Sequence, residues 1–149
     1  MSTNVVLFNL LQLSVSAYAW RRGGPPERLV AMALIVAAAA TFVAYAPMPQ
    51  RFVGVEAGVL LVDLSLLGVL VAIALQANRH WPMAVASMHL ASVLVHAGKL
   101  LDLTMDGWAY AFLLKLWAYP MLLALVVGTM RHCRRLARFG VDHAWSSYQ

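Results

Sequence analysis

The 149-residue chain is 62% hydrophobic and only 11% charged. So little polar surface cannot cover a water-soluble globule of this size, which excludes that class and predicts a membrane protein. The formal net charge of +5 does not predict a nucleic-acid partner, because the basic residues lie in short runs between apolar segments and form no nucleic-acid motif. The single cysteine, Cys133, excludes an internal disulfide.

Five apolar segments are long enough to cross a bilayer as helices. They cover approximately residues 2–20, 29–46, 53–76, 82–103 and 108–130. Short breaks separate them, such as RRGGPPER at 21–28 and TMDG at 104–107. The sequence therefore predicts an all-α, polytopic membrane helix bundle of five transmembrane helices, in which residues 1–138 form one domain. Pro120 predicts a kink in the last of these helices.

A short cytoplasmic amphipathic tail is predicted for residues 139–149. Its aromatic residues are Phe139, Trp145 and Tyr148, and several arginines precede it. Aromatic and basic residues together favour contact with a membrane surface, so we expect the tail to lie on the inner leaflet or against a partner.

The distribution of arginine predicts the orientation of the chain. The first and third connections and the C-terminal segment carry nearly all of the arginines, whereas the other connections have mixed charge. Because basic connections stay in the cytoplasm, we expect an outside N-terminus and a cytoplasmic C-terminus, in a bacterial inner membrane. A four-span alternative treats residues 1–20 as a cleaved signal peptide, but no Lys or Arg precedes their apolar core.

An intramembrane polar cluster is predicted from helical rise. Asp63 and Lys115 lie roughly 12 Å below the outer boundary, and His96 and Asn9 roughly 10 Å below it. His89 precedes His96 by seven residues and shares its helix face. Because a lone charge in a bilayer is costly, we expect Asp63 to pair with Lys115, with His96 as a hydrogen-bonding third member. The alternative is that this pair only fixes helix register.

Nearer the surface, Glu56, Lys99 and Asp102 form a predicted outer interfacial cluster. All three lie near the ends of predicted spans on the outer side. The alternative is that each long side chain reaches the aqueous interface separately, as charged residues near helix ends commonly do.

The sequence does not predict a cofactor, a metal site or a catalytic residue. A haem held by two histidines needs them on opposite sides of the iron, so His89 and His96 on one face cannot share it; His80 and His132 could meet, but a b-type haem is disfavoured. A metal site of His89, His96 and Asp63 lacks the ligand spacing of known sites. Enzymatic activity is therefore not favoured.

Two functions from different classes remain open. In the first, the chain is a non-enzymatic subunit or scaffold that packs laterally in a larger membrane complex or in a homo-oligomer. Small residues at helical spacing, such as Ser87 and Ala91, favour close helix packing of this kind. In the second, the intramembrane cluster serves a small proton- or ion-linked transporter or channel, because histidine titrates near neutral pH.

Overall fold

The computed structural model describes residues 3–44, 56–102 and 104–146. These residues form six helices, and the helical bundle predicted from the sequence is confirmed. The helices are α1 (Thr3–Arg22), α2 (Pro25–Ala44), α3 (Ala57–Gln76), α4 (Trp81–Leu101), α5 (Gly107–Leu116) and α6 (Ala118–Phe139).

Four helical segments in the described part of the chain are long and apolar enough to cross a membrane. They are Pro25–Ala44, Ala57–Gln76, Trp81–Leu101 and Gly107–Phe139, the last of which comprises α5 and α6. Helix α1, the first of the five predicted spans, is not among them. Its side chains include Asn4, Asn9 and Gln12, which make it more polar than the other four segments. These segments indicate a membrane protein.

The connection between α1 and α2 is tighter than the sequence predicted. The amide of Gly23 donates to the carbonyl of Ala19 at 2.8 Å, and a Cβ added to Gly23 would lie 2.4 Å from that carbonyl oxygen. Only glycine fits so close to the preceding turn. Helix α2 then begins at Pro25 rather than near residue 29, because proline in a first turn lacks only an amide that has no intrahelical partner.

The last predicted span, 108–130, is interrupted and longer than expected. Helix α5 ends at Leu116 and α6 begins at Ala118. Pro120 has no amide hydrogen to bond the carbonyl of Leu116, which explains the break where the sequence predicted a kink. Helix α6 continues to Phe139 and ends at Gly140, whose φ of 70° turns the chain back.

The tail that follows Gly140 returns to the connection between α3 and α4. The amide of Asn78 donates to the carbonyl of Ala144 at 3.1 Å, and the amide of Ser146 donates to the carbonyl of Gln76 at 2.9 Å. The sequence did not predict this attachment. Phe139 and Trp145 are exposed, and Tyr148 lies outside the described residues.

The connections define two ends of the bundle. The α1–α2 and α3–α4 connections and the tail share the basic end, while the start of α3 and the α4–α5 connection share the opposite end. Helix α1 packs against α2 and α6, α3 against α2 and α4, and α4 against α5 and α6. The apolar core occupies the half nearer the basic end: Val15, Ala19, Val30, Ala31, Leu34, Leu66, Leu70, Ile73, Trp81, Val85, Ala86, Met121, Leu122 and Leu125.

Candidate functional site

A chain of hydrogen bonds joins α3, α4 and α5 in the half of the bundle nearer the opposite end. Nε2 of His96 lies 2.9 Å from Oδ2 of Asp63, and Nδ1 of His96 lies 2.6 Å from the hydroxyl of Tyr110. His96 and Tyr110 are fully buried, whereas the side chain of Asp63 is 17% exposed. The two ring nitrogens of one imidazole therefore connect a carboxylate to a phenol inside a membrane-spanning bundle.

His89 contacts the same aspartate from one face of α4. Its Nε2 lies 2.9 Å from the main-chain carbonyl of Asp63 and 4.0 Å from Oδ1 of the same residue. Because a carbonyl only accepts, His89 carries its hydrogen on Nε2 in this contact. The seven-residue spacing of His89 and His96 thus places both imidazoles against Asp63.

The predicted pair of Asp63 and Lys115 is not present. Asp63 contacts His96, and the side chain of Lys115 is exposed. The reason is rotation about the helix axis: Tyr110 and Lys115 are five residues apart on α5, which separates them by about 140°. With Tyr110 turned towards His96, Lys115 faces away from the bundle.

Asn9 is also separate from this site. Its side-chain amide donates to the carbonyl of Val5 one turn earlier at 2.8 Å, and α1 packs against α2 and α6. Gln12 has the interhelical role instead, because its amide donates to the carbonyl of Leu34 on α2 at 2.9 Å. Asn9 was predicted to join His96 because the two residues have similar depths. The two residues lie on different helix pairs, however, since α1 packs against α2 and α6.

The three residues of the predicted outer interfacial cluster lie around the start of α3 and the α4–α5 connection, where the charge of Lys99 acts on Asp102. Lys99 is buried and donates to the carbonyl of Met105 at 2.6 Å. Asp102 is exposed and accepts from the amide and the hydroxyl of Thr104, and these bonds hold the pKa of Asp102 below its ordinary value. Glu56 is buried at the start of α3 and contacts Tyr110 through its backbone.

A second polar network, which the sequence did not predict, lies at the basic end. This basic-end network consists of Glu27, Arg79, His132, Arg135 and Asp142. Arg79 donates to the wholly buried Glu27, and it donates to Asp142 at 2.7 Å. Arg135 and His132 also contact Asp142, at 2.7 and 2.5 Å. The network connects α2, the α3–α4 connection, α6 and the tail.

The charges of the basic-end network lower the pKa of Asp142. Burial would raise the pKa of Asp142, but hydrogen bonds from Arg135 and His132 and the charge of Arg79 lower it below its ordinary value. The signal in the sequence is that Glu27 and Asp142 are acids inside arginine-rich segments on the same predicted side. Those arginines were interpreted as determinants of topology and of membrane contact, and no ion pair was predicted for them.

His80 and His132 are the other two histidines that were considered as haem ligands. His80 is exposed at the N-cap of α4, and His132 belongs to the basic-end network. Within residues 3–44, 56–102 and 104–146, no three His, Cys, Asp or Glu side chains are grouped in a way that could hold a metal ion.

No family model, no curated protein and no solved structure matches this chain. The positions and chemistry of the described side chains are therefore the basis for assigning a function.

Proposed function

We propose that this chain is an integral membrane subunit that packs laterally, through the exposed face of α5, against a different membrane protein. The observation that carries the proposal is Lys115. Its side chain is exposed on the apolar segment Gly107–Phe139 and bonds to no residue of the described part of the chain. Lys115 lies about 12 Å along the axis from the start of α5.

A carboxylate on the neighbouring protein would stabilise Lys115. A charge at the centre of a membrane helix costs at least about 2.5–3.5 kcal/mol on insertion scales, and intramembrane cations are usually paired. The partner that fits this face therefore has an Asp or Glu in a transmembrane helix, at the depth of Lys115.

Aromatic side chains surround Lys115 on α5. Trp108, Phe112 and Lys115 follow at spacings of four and three, which defines the α5 face. The rings of Trp108 and Phe112 stack with their centroids 5.4 Å apart and their planes 10° apart. Lipid would cover these rings as readily as a protein would, so we assign partner selection to Lys115.

A second copy of the chain is a poorer occupant of the α5 face. Two copies related by a two-fold axis present the same patch to each other, so a contact centred on Lys115 would bring two lysines together. Like charges in a low-dielectric setting repel strongly. Charge complementarity therefore favours a different membrane protein.

The alternative proposed from the sequence, a proton- or ion-linked transporter, requires a polar route between the two ends. The interior between His89 and the basic-end network is filled by buried apolar side chains, including Leu70, Val85 and Leu125. The free-energy cost of moving an ion through such an apolar layer is high, because no polar group there replaces its hydration. This packing supports the subunit over the transporter.

We further propose a topology with α1 as a fifth span, the N-terminus outside and the C-terminus in the cytoplasm of a bacterial inner membrane. Helix α1 has 20 residues, which corresponds to a length of about 30 Å and suffices for a bilayer. Support for the orientation comes from the arginines of the basic end, because basic connections remain cytoplasmic.

The test is site-specific photo-crosslinking in membranes of the native host. A benzophenone amino acid replaces Phe112 on the α5 face, and a matched probe replaces Leu64, which is exposed on α3. We expect the probe at position 112 to crosslink one membrane protein that the probe at 64 does not. Lys115→Glu should abolish that crosslink, and exchanging the acidic residue of the partner for lysine should restore it.

Three outcomes would overturn the proposal. The first is a crosslink from position 112 to a second copy of this chain, and the second is a crosslink to lipid alone. The third is a crosslink that survives Lys115→Glu without change. Arg131→Gln, at an exposed arginine outside the α5 face, is the control for a general effect of lost positive charge.

A further inference from the structure

We propose that Asp63, His96 and Tyr110 form a site that binds one proton and exchanges it only with the opposite end of the bundle. These three residues constitute the proton site. The inference concerns the interior of the bundle and does not depend on the proposed lateral partner at Lys115.

The hydrogen bonds define the two states of the proton site. In the first state the hydroxyl of Tyr110 donates to Nδ1 of His96, and Nε2–H of His96 donates to the carboxylate of Asp63. The net charge is then that of one carboxylate. In the second state a proton has entered at Nδ1 and the imidazolium donates to both neighbours. The hydroxyl oxygen of Tyr110, which the backbone of Glu56 also contacts, then accepts from Nδ1–H.

Proton uptake makes the site neutral without moving a helix. An isolated carboxylate in a poorly solvated interior is costly, whereas a hydrogen-bonded imidazolium and carboxylate together carry no net charge. The contact distances of 2.9 and 2.6 Å suit both states, because only hydrogen positions differ. The contacts therefore allow reversible proton binding within one packed arrangement.

The groups around the proton site come from three elements. Glu56 on the α3 side and Lys99 on α4 are buried and of opposite charge, and His89 contacts the backbone of Asp63. Asp102 and Asp106 lie in the exposed α4–α5 connection. Helix α2 has no ionisable side chain beyond residue 28, and the only one in α6 before residue 131 is an exposed tyrosine. The site is therefore influenced mainly by its own members and their immediate neighbours.

Access to the proton site is one-sided. His96 is five residues from the end of α4, or about 8 Å along the axis, and Asp63 is six residues from the start of α3, or about 9 Å. The side chain of Asp63 is 17% exposed whereas that of His96 is wholly buried, so Asp63 is the member through which the proton would enter. In the other direction the buried side chains of Val85 and Leu70 follow His89. A proton bound here does not continue to the basic end.

The proton binding is tested by nitrogen-15 NMR of labelled histidines in lipid nanodiscs. His80 and His143 are exposed and serve as references. We expect His96 to change between singly and doubly protonated forms within the pH range studied. Asp63→Asn removes the anion beside the imidazolium, so the protonated fraction of His96 at a given pH should fall.

Tyr110→Phe keeps the ring in place and removes only the hydroxyl. It therefore distinguishes a role of Tyr110 in proton binding from a role in packing alone. In this variant the Nδ1 resonance of His96 should shift while Nε2 keeps its contact with Asp63. The proposal is overturned if His96 keeps one protonation state throughout the pH range studied. It is also overturned if both variants leave its titration unchanged.

One-sided access is tested in sealed proteoliposomes with separate internal and external buffers. Cys133 is the only cysteine and lies near the basic end, so an impermeant maleimide reports which fraction of the molecules exposes that end. The protonation of His96 should follow the pH of the compartment at the opposite end, and no proton flux should accompany it. A measurable flux that Asp63→Asn abolishes, or a response to the pH at the basic end, would overturn one-sided exchange.

Discussion

The indole ring of Trp81 lies directly against the backbone of Gly128, where α4 begins beside the middle of α6. A Cβ added to Gly128 would be 2.7 Å from two ring atoms of Trp81. That distance is shorter than any real carbon contact, so α4 and α6 approach this closely because residue 128 has no side chain.

Gly128→Ala should therefore destabilise the bundle. The added methyl group requires either the indole ring or α6 to move, and such overpacking costs about 1–3 kcal/mol. The measurement is the thermal unfolding midpoint of the protein purified in a mild detergent. Gly68→Ala is the matched control, because a Cβ there meets no atom within 4 Å. Equal midpoints for the two variants would contradict the contact.

Arg79→Gln should be more damaging, because it leaves Glu27 without its cation in a fully buried position. Removing one member of a buried ion pair costs about 3–5 kcal/mol, much of it from the charge left behind. Reversible unfolding in mixed micelles measures the change. Arg131→Gln, at an exposed arginine of the same end, should have little effect.

A double-mutant cycle shows whether the loss belongs to the ion pair. If Glu27 and Arg79 stabilise each other, Glu27→Gln combined with Arg79→Gln should cost less than the sum of the two single changes. Additive costs would mean that the two side chains act independently, and the basic-end network would then be no more than a set of neighbours.

Much of the helical architecture could be predicted from the sequence, because span length and hydropathy determine which segments become membrane helices. Proline and glycine indicated breaks as well, although Pro25 begins α2 within a segment that was interpreted entirely as a turn. The five-span count and the orientation stay predictions. Helix α1 is not among the four segments apolar enough to span a membrane, because its amide side chains lower its apolar character.

Only part of the site could be predicted from the sequence. The depth of a residue along a membrane helix is easier to predict than the direction in which its side chain faces. Helical rise placed Asp63 and His96 at one level, and the structure brings them together. The same rule placed Lys115 at that level, but it did not indicate that Lys115 faces away from the bundle. Tyr110 was not among the predicted members of the cluster, so its contact with His96 was missed. Burial direction requires knowledge of the neighbouring helices.

Acidification should release the tail from the α3–α4 connection. The pKa of Asp142 is lower in the folded protein than its ordinary value, so the unfolded chain binds the proton more readily. The stabilisation is complete above the ordinary aspartate pKa of about 4 and is lost as the pH falls through the lower folded value. We expect the amide of Ser146, which bonds to Gln76, to lose its protection against hydrogen exchange in that window.

The matched variant for the tail is Asp142→Asn, which removes the charge that Arg79 and Arg135 contact. Its tail should be weakly protected at neutral pH and should respond little to acid. Exchange rates are compared with those of an unstructured peptide at each pH, since intrinsic exchange itself depends on pH. A wild-type tail that stays equally protected on both sides of the window would contradict a role for Asp142.

Asp106 should determine how firmly α5 is held. Its carboxylate accepts from the amides of Trp108 and Ala109 at 2.9 and 3.0 Å, which satisfies two donors at the start of a ten-residue helix. Asp106→Ala removes this cap at a cost of about 1 kcal/mol, whereas Asp106→Asn should retain most of it, because asparagine caps helices about as well as aspartate. Hydrogen exchange of the α5 amides measures both.

The consequence of losing the Asp106 cap should extend to the proton site. Helix α5 is separated from α6 by the break at Trp117 and carries Tyr110 to His96, so a frayed first turn should weaken that hydrogen bond. We expect Asp106→Ala to shift the Nδ1 resonance of His96. Asp102→Ala, whose carboxylate accepts from Thr104 in its own loop, should leave that resonance in place. If Asp106→Ala exposes the α5 amides without any change at His96, then Tyr110 is held by packing alone and α5 does not determine the state of the proton site.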